Sequence, residues 1–139
     1  MNFCPIFGTL AAVALCGCAT APPLPREAAA VTLAPMASDS IGVLRPSWRV
    51  VDGQLALEGW VYKKVQAKTT EHTHLDVVFL DATGESLRDE LVEFFPRKLR
   101  RAPRPPAGRG HYYLSIPDLP SGTVRITVEA HDGEHGPVS

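Results

Sequence analysis

Beyond residue 18 this 139-residue chain has no cysteine; its three (Cys4, Cys16, Cys18) all lie ahead of that point. The remainder therefore contains no disulfide, no cysteine-ligated metal and no thiol nucleophile. No sign of charge dominates. Fourteen basic and 15 acidic side chains leave a net charge of −1, which excludes a global attraction to nucleic acid or to an anionic membrane. Long apolar runs are missing as well. Ile6 to Leu15 is apolar apart from Gly8 and Thr9, but falls short of the roughly 20 residues that span a bilayer. There is no internal repeat, no phosphate loop, no His-Glu-x-x-His and no Gly-x-Ser-x-Gly. Ser86, Ser115 and Ser121 lie in or beside turns and strands, and no pair of carboxylates is placed for acid–base work. The expectation is a non-enzymatic protein without a resident cofactor.

What is present begins with Leu15-Cys16-Gly17-Cys18, which closes the short apolar stretch and precedes a run rich in Ala and Pro. The stretch has the length of a signal-peptide core, although Met1-Asn2-Phe3 carries no basic side chain. This segment resembles the lipobox of bacterial lipoproteins. The resemblance implies a signal peptide over 1–17 and lipidation of Cys18. Two or three acyl chains would then give stable membrane anchoring. Cys16 is the alternative lipidation site, with Leu15 a poor fit to the small residue expected before it, and a plain secretory signal is the alternative to both. Ala19 stands where an aspartate would favour inner-membrane retention. The resemblance thus points to the cell envelope, at the outer membrane facing the periplasm. Residues 18–40, with Pro22, Pro23, Pro25 and Pro35, read as a semi-extended tether.

Residues 41–139 form one domain's worth of chain, enough to bury a single core. The patterning is β throughout. Trp48 to Val51 is a short strand ended by Asp52-Gly53, a hairpin signal. From Leu55 to Tyr62 the chain alternates, with Leu55, Leu57, Gly59 and Val61 on one face and Ala56, Glu58, Trp60 and Tyr62 on the other. Thr73 to Asp81, His111 to Ile116 and Thr123 to His131 alternate likewise, while Leu87 to Phe95 fits strand or helix. One apolar face per strand is the half-buried antiparallel pattern. The expected fold is all-β, a small antiparallel sandwich of six or seven strands. Tyr113-Leu114-Ser115-Ile116-Pro117-Asp118-Leu119-Pro120-Ser121-Gly122-Thr123, running into Val124 to Ala130, resembles the strand corner of fibronectin type III and related immunoglobulin-like domains. It departs from them in having Val124 where a tyrosine usually follows the turn. The resemblance implies an immunoglobulin-like order and, by itself, no activity.

Three groups of residues are candidates for function. His72 and His74 share a face, and in a fibronectin-like order their strand runs beside Thr123 to His131. His131 would then approach them, with Glu71, Asp132 or Glu134 nearby. Imidazoles so gathered suit zinc or copper; the plainer alternative is a wet sheet face. Second, Arg97, Lys98, Arg100, Arg101, Arg104 and Arg109 fall between Pro96 and Gly110 without an acid, interrupted by Pro103, Pro105 and Pro106. Long loops of this kind are functional or disordered. On an envelope protein this one would contact an acidic protein patch, an anionic glycan or lipid phosphates. Its alternative is charge compensation of Glu85, Asp89, Glu90 and Glu93. Third, Trp60, Tyr62 and Tyr113 fall opposite the aliphatic faces, where they would form a ligand or partner surface unless Trp60 belongs to the core. Together these give a lipid-anchored binding or adaptor module, with periplasmic metal binding as the alternative. Nucleic acid is not an expected partner.

Overall fold

The computed structural model describes residues 23–100 and 108–133. The described chain forms a one-turn helix, α1 (Arg26–Ala29), and then β1 (Thr32–Met36), β2 (Ile41–Val43), β3 (Ser47–Val51), β4 (Gln54–Lys63), β5 (Thr73–Leu80), β6 (Ser86–Val92), β7 (Phe94–Phe95), β8 (Arg109–Ile116) and β9 (Arg125–Asp132). These strands make two sheets. One has four strands in the order β1-β9-β5-β6. The other has five, in the order β2-β4-β8-β7, with β3 also paired to β4. All neighbours are antiparallel except β1, which runs parallel to β9. The expected all-β sandwich is the observed architecture.

The core lies between the sheets. Leu57, Val61, Tyr112 and Ile116 fill it from the five-stranded sheet, and Leu75, Val77, Phe79, Ile126 and Val128 from the other. Period-two alternation aims these residues inward, and burial of each large side chain contributes about 1.5–3 kcal/mol. Gly59 is a deliberate gap in the apolar face of β4. A Cβ there would collide with the Tyr112 phenol, which occupies the space instead. The inner face is thus completed from β8, and Trp60 is left to point outward.

Two expectations change. Among the described residues the sandwich has nine strands rather than six or seven, because β1, β2 and the short β7 add to the set read from the sequence. The tether does not extend to residue 40. Ala28 and Val31 are buried, and β1 pairs with β9 from Thr32↔Arg125 to Met36↔Glu129. Ala and Pro content concealed this strand, since Pro35 tolerates an edge position where it owes no ladder bond. The segment that fitted strand or helix is strand, split by Glu93 into β6 on one sheet and β7 on the other.

Candidate functional site

The histidine register is as the sequence reading expected. His74 lies directly opposite His131, and their rings stack at 5.8 Å with an interplanar angle of 17°. Asp76 and Glu129, one alternation further along the same two strands, also face each other. The His74 Nε2 is 3.9 Å and the His131 Nε2 3.3 Å from Asp76 carboxylate oxygens, and the His131 Nε2 is 3.7 Å from Glu129. His72 stands exposed in the turn before β5, where its carbonyl accepts the Gly133 N–H. Among the described residues no group of three or more His, Cys, Asp or Glu side chains is arranged to hold a metal.

Two of the acids named as neighbours of the histidines, Asp132 and Glu71, are engaged elsewhere. Asp132 accepts the Ser38 and Thr73 hydroxyls and the Ser40 N–H, clamping the β1–β2 connection to the end of β9. Its partial burial pushes the carboxyl pKa up, but those hydrogen bonds outweigh that and hold it below the ordinary aspartate value. Glu71 pairs with Lys98 at 3.4 Å. Glu134 lies outside the described residues. Asp76 and Glu129 were the acids to find; a one-step reading along the paired strands would have placed them.

The start of the basic loop is anchored. Thr70 is buried. Its hydroxyl donates to the Arg97 carbonyl at 2.8 Å and accepts the Leu99 N–H at 2.9 Å. Leu99 is buried in the core, so Lys98 and Arg100 on either side are exposed. Arg97 pairs with Glu93 at 3.6 Å, donates to the Glu71 carbonyl and lies over the Phe94 ring. Arg109 belongs to β8 rather than to the loop. Arg101 and Arg104, like Cys18, lie outside the described residues. Beside the loop is an open depression lined by Lys63, Lys68, Lys98 and Arg100, with Glu71 the one acid in its wall.

The outer face of the five-stranded sheet is aromatic. Trp60 is 47% exposed, Tyr62 and Tyr113 nearly as much, and Phe95 80%. Register sets them in rows: Trp60 opposite His111, with Phe95 on the far side of His111; Tyr62 opposite Arg109; Glu58 opposite Tyr113. The Trp60 ring is held. His111 lies against it with centroids 4.7 Å apart, Glu58 is 3.5 Å from the His111 Nε2, and the Arg49 Nη1 donates to the same Glu58 oxygen at 3.2 Å. Tyr62 crosses the neighbouring strand directly above Gly42, where any Cβ would meet the phenol. The sequence reading found three of these rings and missed Phe95. The Phe94-Phe95 pair in a strand, one residue in and one out, was the signal for it.

No protein-family model, curated protein or solved structure matches this chain.

Proposed function

We propose that this protein is a lipid-anchored, non-enzymatic binding module of the cell envelope, and that the outer face of its five-stranded sheet is the partner surface. The observation that carries this reading is the open face of Trp60, Tyr62, Tyr113 and Phe95. Large aromatic side chains on a soluble surface mark a place where water is displaced by a partner. The lipobox-like Leu15 to Cys18 segment supports attachment through Cys18 at the outer membrane, and the Tyr113–Ala130 corner supports an immunoglobulin-like kinship. Photocrosslinking in cells tests the face. A benzophenone side chain at Tyr113 is expected to give a discrete adduct, and one at Leu87 on the other sheet none. Equal adducts at both positions, or neither a protein adduct nor a captured glycan at Tyr113, would reject the reading.

A second reading is metal binding on the four-stranded sheet. It is favoured by the two imidazoles converging on Asp76, with His72 in the adjoining turn. Excess zinc or copper would then raise Tm by mass action, about 2.7 kcal/mol at a hundredfold excess over Kd. His74→Ala and His131→Ala would each abolish the rise. A melting curve that excess metal leaves unmoved rejects it.

A further inference from the structure

The large exposed apolar side chains are segregated by kind. On the outer face of the five-stranded sheet all of them are aromatic: Trp60, Tyr62, Tyr113 and Phe95. The aliphatic ones, among them Met36, Leu87 and Leu91, lie on other strands or loops. Lipid insertion gains from Leu, Ile and Met as much as from rings, and protein interfaces that are rich in rings commonly include Met as well. A face whose large exposed apolar side chains are all rings suits something that stacks. The ring faces carry negative quadrupole density and attract the C–H groups that line one side of a pyranose. The sugar's rim of hydroxyls needs hydrogen-bonding partners between the rings. Glu58, His111 and Arg49 stand there, in the rows between and beside Trp60 and Tyr113.

Two further features specify the sugar. The face is an open sheet rather than a closed pocket, and Trp60 and Tyr62 are two residues apart on one strand, roughly 7 Å. Rings so spaced on a flat surface fit consecutive units of an extended chain. Charge then selects among chains. At the end of the sheet where Tyr62 faces Arg109, β4 runs on into the depression whose wall holds four cations and one acid. Carboxylates or other anionic substituents along a polymer would pair with them. We infer that this face binds an extended anionic polysaccharide, with aromatic stacking at Trp60 and Tyr62 and charge pairing at Arg109 and the depression beyond. The inference rests on the aromatic face being the partner surface.

The test uses the full chain, with polygalacturonate as the probe, neutral dextran as the uncharged control and vesicles rich in anionic phospholipid as the lipid control. Binding is read by tryptophan fluorescence and by retardation in affinity gels. Polygalacturonate is expected to bind, to weaken as salt is raised and to be preferred over dextran. Trp60→Ala is expected to weaken it about tenfold or more, and Arg109→Gln to flatten its salt dependence. Gly42→Ala, which dislodges Tyr62 while keeping every ring, is expected to weaken it too. Circular dichroism of each variant separates lost binding from lost fold. Binding that ignores Trp60→Ala in a folded protein overturns the inference, as does retention on vesicles alone. A protein adduct at Tyr113 with no polysaccharide binding overturns it too, while leaving the binding-module reading in place. No adduct and no polysaccharide binding removes both.

Discussion

At the residue scale, two polar groups in the sandwich have opposite relations to their surroundings. The Tyr112 hydroxyl is buried, with the residue 1% exposed, and it has no hydrogen-bond partner among the described residues. Burial pushes its pKa well above that of an ordinary tyrosine. Such a group forfeits its hydration without return. Tyr112→Phe keeps the ring over Gly59 and removes the orphan, so it is expected to stabilise by about 1 kcal/mol, read as a higher denaturant midpoint at unchanged slope. A lower midpoint would mean that the hydroxyl has a partner after all. Asp132 is the converse case, a carboxylate that three donors hold below its ordinary pKa. In the unfolded chain it takes a proton at higher pH than in the fold. Its contribution is therefore complete above about pH 4 and is lost as pH falls through the folded value. Tm of the native chain is expected to fall across that acid limb. Asp132→Asn is expected to show a lower Tm at neutral pH and a shallower fall; parallel curves would detach Asp132 from the clamp. Neither role was legible in the sequence. Tyr112 reads there as one more inward residue of β8, and Asp132 as a neighbour of histidines, because the partners of both are remote in the chain.

At the scale of elements, alternation disclosed most of the fold. β4, β5, β8 and β9 each carry an apolar face of four residues or so, and their pairings follow from it. What alternation could not disclose is what its own logic omits. β1 has no alternating apolar run, and its place is set by the parallel ladder to β9 together with the buried Val31 before it. β6 is an edge strand whose inward positions carry Arg88 and Glu90, paired at 3.5 Å, with Arg88 spread over the Phe79 ring. Inward charge on an edge strand discourages a second sheet from adding there, and it also erases the periodic signal. The basic loop shows the same dependence on remote contacts, since its start is fixed by Thr70, 27 residues before Arg97. Thr70→Val preserves shape but strands the Arg97 carbonyl and the Leu99 N–H. It is expected to cost about 1–3 kcal/mol and to speed hydrogen exchange at Leu99. Exchange that stays slow would show that Leu99 packing alone holds the loop.

At the scale of the whole molecule, the two sheets present different chemistry, with rings on one outer face, a histidine–carboxylate network on the other, and a cation-lined depression at the end of β4. Lys98 and Arg100 meet Lys63, at the end of β4, in that depression. If the anchor is at Cys18 as proposed, only the residues between it and Arg26, where α1 begins, separate it from the packed Ala28. The intervening chain, rich in proline, could reach at most about 29 Å even when fully extended. A module on so short a lead samples only what lies near its membrane, where a polymer passing close to the surface is within reach and a distant one is not. Anchoring and binding should then be separable. Cys18→Ser is expected to move the protein from the membrane fraction to the soluble one, or to leave it unprocessed, while the purified variant keeps its affinity for polygalacturonate. Cys16→Ser is expected to change neither property. If Cys16→Ser alone releases the protein, the lipid belongs on Cys16. If the Cys18 variant stays on membranes in processed form, the attachment runs through the folded domain, and the aromatic face with its cationic end becomes the surface to test against lipid.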